Sequence, residues 1–175
     1  MENKHTKLMI ITRYRVPQTS ITQAGDTTTY AQQWIVSRTL GENNPEPRTQ
    51  FIQDETRQIK QWQQEGNKII LMLDANEQMG AENEGIQHLT TSCNLTNIHA
   101  QRCPDIDKLA TYARRTKRID FVLTLQKLVE LVTGAGFLPF YEGIESDHRG
   151  AFANFDEQQL FNGKTPTLYI TLREN

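Results

Sequence analysis

The sequence predicts an α/β or α+β layered domain, and three observations carry that prediction. Two short apolar runs, 8–12 (LMIIT) and 68–73 (KIILML), have the length and β-branched content of buried strands rather than helices. Between them lie two stretches of helical periodicity, each followed by a glycine stop. The second half then supplies several short β-like pieces, which with the helices make layers around one core.

The elements follow in order. The run 8–12 comes directly after a charged tail and breaks at Tyr14-Arg15-Val16-Pro17. A polar loop through Gly25 and Asp26 leads to a helix expected over 29–40 and stopped by Gly41. The two prolines of GENNPEPR mark a loop. Over 47–65, Phe51, Ile52, Ile59 and Trp62 fall near one helical face, and Gly66 takes the C′ position. The run 68–73 is apolar on both faces, which marks a central strand. A short helix is expected over 82–93. Residues 110–112 and 118–123 (RIDFVL) read as two strands or a hairpin around the basic stretch ARRTK. Residues 125–132 fit a helix or a strand, since periodicity does not separate the two. Residues 151–155 read as a strand, 156–161 as one helical turn, and the alternating 167–172 (TLYITL) as a closing strand.

Composition narrows the function classes. The 175 residues suit one domain, 1–175, with 1–7 and 173–175 as tails. A net charge of -2, from 19 Lys+Arg against 21 Asp+Glu, argues against a polyanion-coating protein while allowing a local positive patch. No run approaches the roughly 18 apolar residues of a membrane span. The four or five apolar residues after MENKHTK are too few for a secretory h-region. Cys93 and Cys103 are therefore expected to be reduced thiols, and the Asn-Leu-Thr at 94–96 matches a glycosylation sequon by letter only. The chain is expected to be soluble and intracellular, in nucleus or cytoplasm, with no membrane partner.

Three places put ionisable residues at the ends of apolar strands, where a side chain emerges from the core into a cleft. At Leu73-Asp74-Ala75-Asn76 an apolar run leads straight into Asp-x-Asn, so both polar side chains fall on one side. Such a pair can hold a water, a metal or a phosphate oxygen; it can equally close the strand in an Asx-type turn. Asp120 lies inside an otherwise apolar strand, where an unpaired carboxylate is costly. Arg118, on the same face, and a histidine from another strand are its candidate partners. The third place is Ser146-Asp147-His148-Arg149, flanked by Gly143 and Gly150 and leading into the strand at 151–155. That context presents a side chain. Singly, each is also explained as a turn, an internal ion pair or a surface dipeptide.

Taken in the order LDAN, RIDFVL, SDH, the three resemble the C-terminal half of the endonuclease/exonuclease/phosphatase superfamily, the deoxyribonuclease-like fold. The family's signatures there are an apolar strand ending in Asp-x-Asn, then Arg-hydrophobic-Asp-aromatic, then Ser-Asp-His. The opening LMIITRYRVPQ is similar to the family's apolar strand with an active-site tyrosine and a proline-containing turn, which maps onto Tyr14. TYARRTKRIDFVL and SDHRGAF are most similar to retrotransposon-type endonuclease-like members, and the resemblance covers about residues 8–155. It implies a layered sandwich of two mixed β-sheets flanked by helices. It also implies a metal-dependent phosphodiesterase of endonuclease type, hydrolysing nucleic-acid phosphodiester bonds by water attack.

By that resemblance, Asp74 orients or deprotonates the attacking water and Asn76 holds a phosphoryl oxygen. His148 neutralises the charge growing on the phosphate, Asp120 keeps the imidazole oriented and protonated, and Tyr14 approaches the phosphate or the leaving oxygen. Asp147 helps to hold a divalent cation, Mg2+ or Mn2+, whose hard oxygen preference suits carboxylates. Arg114, Arg115, Lys117 and Arg118, four cations in five residues, suit a nucleic-acid backbone, DNA ahead of RNA, and equally a solvated hairpin tip. Family members begin with a further half-domain that carries an Asn and then a Glu, the principal metal ligand. Neither has a match here, so the resemblance is to an N-terminally truncated domain. Glu77, Glu142 and Glu145 are the candidate replacements, and a separate chain supplying the missing half is a further expected partner. The alternative function is a catalytically impaired remnant that keeps the fold and nucleic-acid binding.

Overall fold

The two apolar runs form adjacent strands, β1 (Leu8–Tyr14) and β2 (Lys68–Asp74), paired in parallel from Leu8 opposite Lys68 to Tyr14 opposite Asp74. The computed structural model describes residues 7–83, 85–103, 105, 109–114, 116–142 and 145–166; Arg115 and the strand expected at 167–172 lie outside the described residues. A parallel pair needs a crossover, which α1 (Thr29–Thr39) and α2 (Pro47–Gln64) provide. Thr28 caps α1, its Oγ1 accepting the Ala31 N–H at 3.2 Å. Pro47 opens α2, where its missing N–H is no loss, and Gly66, at φ 83°, ends it as the sequence predicts.

The chain continues through α3 (Ile86–Ser92), β3 (Leu95–Asn97) and α4 (Ile98–Arg102). Strand β4 (Asp120–Leu125) then pairs antiparallel with both β2 and β3, giving a four-stranded sheet in the order β1-β2-β4-β3. One helical turn, α5 (Gln126–Val129), leads to β5 (Val132–Phe137), which pairs antiparallel with β6 (Ala151–Phe155) as a second sheet. A last turn, α6 (Glu157–Leu160), is tied back by the Lys68 ammonium donating to the Leu160 carbonyl.

Strand β2 packs on both faces, although Met72, next after Ile70 on its face, is exposed. Ile52 and Ile59 from α2 and Ile86 and Leu89 from α3 pack on Ile69, Leu71, Phe121 and Leu123. On the other face Ile70 and Val122 meet Ile98, Val129 and Val132. A fully buried Ile or Leu contributes about 1.5–3 kcal/mol, so these layers dominate folding. The fold class is as expected, mixed α/β with two sheets flanked by helices. Among the described residues no helix is long and apolar enough to cross a membrane.

Several boundaries differ from expectation. The first strand is an edge strand rather than a buried one: Ile10 is 64% exposed, because the small second sheet covers Leu8 but not its neighbour on that face. Residues 110–112 form no strand, only a single antiparallel bridge between Tyr112 and His148. The helix expected from 82 starts at Ile86, because the Glu77 carboxylate fills the space beside Gly85 and accepts the Ile86 N–H. The ambiguous stretch 125–132 is a helical turn followed by a strand. Strand β5 escaped notice because Gly134 and Gly136 dilute its β pattern; a Cβ on Gly136 would sit 2.9 Å from the Phe152 ring. Elements as short as β3 and α4 carry too few residues to show a period.

His99 joins α4 to the second sheet and is fully buried. Its Nε2 lies 3.0 Å from the Gly136 carbonyl and 3.1 Å from that of Phe152, so Nε2 carries the hydrogen and the buried Nδ1 is left without a partner. Burial pushes the imidazole pKa below its ordinary 6.5 against the pull of the two carbonyls, and the Arg118 charge adds to the effect. As pH falls, the unfolded chain therefore takes up this proton before the folded one does. Stability present above pH 6.5 is lost as pH drops through the lower folded value. Urea midpoints at about pH 7.5 and about pH 5.5 should differ more in the wild type than in His99→Gln. The substitution itself should cost about 1–3 kcal/mol through the lost pairing to the two carbonyls.

Candidate active site

The register of the first sheet sets three ionisable side chains in a row. Tyr14 opposes Asp74 across β1 and β2, and Asp74 opposes Asp120 across β2 and β4. His148, from the loop before β6, meets Asp120 from outside the sheet: its Nδ1 lies 3.2 Å from Oδ1 and 3.1 Å from Oδ2. Of the two partners open to Asp120, the histidine is thus engaged. One ligand atom each from Asp74, Asp120 and His148 fits within 4.8 Å of the others.

The Asp-x-Asn turn is both a strand terminator and part of this cluster. Asp74 Oδ1 accepts the Asn76 N–H at 3.1 Å, and Asn76 sits at φ 49°, a left-handed conformation that asparagine tolerates. The Asn76 Nδ2 donates to the Arg15 carbonyl at 2.9 Å, and the same carboxamide reaches the Tyr14 hydroxyl. The Arg15 N–H donates to the Asp74 carbonyl at 2.8 Å, so the exits of β1 and β2 are laced together.

Four further residues hold the other half. Thr111, fully buried, accepts the N–H groups of Ile119 and Asp120 on Oγ1 at 3.0 and 3.1 Å. The Tyr112 ring lies on the His148 imidazole, with centroids 4.8 Å apart. Ser146 Oγ accepts the His148 N–H at 3.0 Å. Arg149 anchors the loop: its Nε donates to the Ala110 carbonyl at 2.9 Å, and its guanidinium lies 4.0 Å over Phe140. The Thr-Tyr pair just ahead of the basic stretch was the available sequence signal for Thr111 and Tyr112, and nothing marked it as more than a strand.

No family model and no curated protein matches this sequence. Among solved structures, the chain is similar to the 3′ phosphatase NExo from Neisseria, bound to a product DNA hairpin. Identity is 16%, the TM-score is 0.44, and the match spans 75% of this chain and 56% of that one.

The remaining expected residues divide. Asp147 is not one of the three clustered ligands, and its carbonyl accepts the Ala113 N–H at 2.8 Å. Arg114 and Lys117 are exposed, whereas Arg118 is 5% exposed and lies 5.1 Å over Phe121, so it is a wall rather than a surface cation. Lys117 and Arg118 line a cavity of about 520 Å³ with Gln78, Gln87, Asn97 and Phe121. Glu142 and Glu145 are exposed and outside the cluster. Glu77 is buried against Arg15, Arg48 and the Ile86 N–H, which leaves it unable to serve as the replacement metal ligand.

Burial raises the Asp74 pKa above its ordinary 3.8, and the facing Asp120 carboxylate raises it further, against the Asn76 N–H and His148. Burial and then the Asp74 charge likewise raise the Tyr14 hydroxyl. Two carboxylates facing each other beside one imidazole form a site short of positive charge. Asp74, Asp120 and His148 each offer one ligand atom and could together hold a metal ion. A raised folded pKa means that Asp74 favours the folded state below pH 3.8 and loses that contribution as pH rises through the folded value. In chelator near neutral pH, Asp74→Asn should therefore melt at a higher temperature than the wild type by calorimetry.

Proposed function

We propose that this chain is a divalent-cation-dependent phosphodiesterase of the endonuclease/exonuclease/phosphatase type, hydrolysing nucleic-acid phosphodiester bonds by water attack. What supports this reading is the meeting, at one end of the sheet, of Asp74, Asn76 and Tyr14 with the Asp120–His148 pair. Those five residues come from four separate stretches of sequence. Structural ion pairing explains Asp120 with His148, and the turn bond to the Asn76 N–H occupies Asp74 Oδ1, but neither explains why Asp74 stands opposite a second carboxylate.

In this reading the Asp74 carboxylate takes the proton of the attacking water, whose oxygen bonds to phosphorus as the P–O bond to the leaving oxygen breaks, and that oxygen takes a proton from solvent. Asn76 and Tyr14, already in contact, donate to the non-bridging phosphoryl oxygens. His148, held through Nδ1 by Asp120, turns Nε2 away from that carboxylate and toward the developing charge. Asp74, with Asp120 beside it, would hold the divalent cation, which supplies charge neutralisation at the phosphate. The exposed Arg114 and Lys117, a few residues ahead of Asp120 in the chain, are the cations this reading assigns to the nucleic-acid backbone.

Cleavage of a DNA or RNA oligonucleotide should require Mg2+ or Mn2+ and stop in chelator. Asp74→Ala and His148→Ala should each lower the rate by about 10²–10⁴-fold with circular dichroism unchanged. Cleavage in chelator, or an undiminished rate in His148→Ala, would overturn the assignment. Binding without cleavage in Mg2+ would leave the catalytically impaired remnant as the function. For the cations, Arg114→Ala with Lys117→Ala should flatten the plot of log affinity against log salt by about 0.9 per lost duplex contact. An unchanged slope returns both to the solvated loop.

A further inference from the structure

Directly behind the site lies a group of four charges. Arg15 follows Tyr14 in the chain and Glu77 follows Asn76, and both turn inward: their side chains are 1% and 2% exposed. Arg15 Nη1 meets Glu77 Oε2 at 2.5 Å, and its Nη2 meets Glu82 Oε2 at 2.8 Å. Arg48, from α2, completes the set, with Nη2 at 2.6 Å from Glu82 Oε1 and 3.3 Å from Glu77 Oε2. The arginines also engage the backbone: Arg15 Nε donates to the Arg48 carbonyl at 3.2 Å, and Arg48 Nη1 donates to the Val16 carbonyl. Glu77 Oε1 accepts the Ile86 N–H. Two positive and two negative groups cancel, and each finds partners.

Such a network is a poor device for stability. Taking four charges out of water costs about as much as their attraction returns, and apolar side chains of similar volume often do as well. What the network does provide is geometry. It binds the residue after the Tyr14 exit of β1 to the residue after the Asp74–Asn76 turn of β2. Without it, the two exits are joined by the Arg15 N–H to Asp74 and by the Asn76 carboxamide to Arg15 and Tyr14. Asn76 is moreover in a left-handed conformation that the surroundings must hold.

We infer that Arg15 and Glu77 are positioning residues: their buried ion pair clamps the Asp74–Asn76 turn against the end of β1, so that Tyr14, Asp74 and Asn76 face the substrate in one arrangement. Arg48 and Glu82 complete the charges and hold the clamp to α2 and to the loop ahead of α3. The consequence for catalysis rests on the function proposed above; the clamp itself does not.

The test uses the full chain and two variants. Glu77→Gln keeps an oxygen for the Ile86 N–H but turns an amide toward Arg15; Arg15→Lys keeps the charge but loses the fork. The first readout, independent of catalysis, is the amide spectrum: the backbone signal of Asn76 and its side-chain NH2 pair should shift or broaden in a variant that stays folded. The second is oligonucleotide cleavage well below the variant's melting temperature: kcat should fall by about 100-fold, as for a displaced catalytic group, with KM unchanged. A folded variant with unmoved Asn76 signals, or with wild-type kcat, overturns the inference. If neither variant folds, the network is structural only and the inference falls. If the wild type cleaves nothing, the proposed function fails while the amide spectrum still decides the clamp.

Discussion

The site depends on the register of β2 with both of its neighbours. Tyr14, Asp74 and Asp120 stand side by side only because Leu8 pairs with Lys68 on one edge and Ile70 with Thr124 on the other. Side chains alternate along a strand, so a slip of one residue would send Asp74 to the face of Leu71 and Leu73, against the helices. Each slip would also turn Ile69 or Ile70 away from its own cluster. Because β2 carries apolar side chains on both faces, both clusters oppose that movement, and core packing sets the geometry of the site.

That geometry places like charges opposite one another at the end of two strands, an arrangement that costs stability. The raised pKa of Asp74 comes first from its burial and second from that facing charge. His148 offsets it from one side and is held there by its neighbours: Tyr112 on its face, Ser146 on its N–H, and Arg149 anchoring the loop. None of these contacts relieves Asp74 directly. Two carboxylates opposed across neighbouring strands are a common mark of a site that gives up stability for chemistry.

Buried charge is handled differently a few residues away. At Asp74 and Asp120 like charges sit side by side, half-buried, while at Arg15, Arg48, Glu77 and Glu82 opposite charges pair with one another, largely out of water. Glu77 shows how context decides between these uses. It follows Asn76 and could have pointed with it toward the cleft, yet two guanidinium groups and the Ile86 N–H hold it on the far side.

Much of the fold was legible in the sequence. The long helices, both apolar strands and β6 announce themselves through period, stop residues and composition over neighbouring positions. So do the carboxylates at strand ends, because Asp74 and Asp120 interrupt or close apolar runs. The motif order then tied them to Tyr14, Asn76 and His148. Short or glycine-bearing pieces stayed hidden, as in β3, α4 and β5, since too few side chains repeat there. What the sequence by itself determined was which strands form and which polar residues stand at their ends, because those follow from local spacing. Only the tertiary structure decided which charge meets which: Asp120 and His148 are 28 positions apart, and Arg15 and Glu77 are 62 apart. No local period reaches across such distances. The pairings follow instead from sheet register and from the high cost of leaving a buried charge alone.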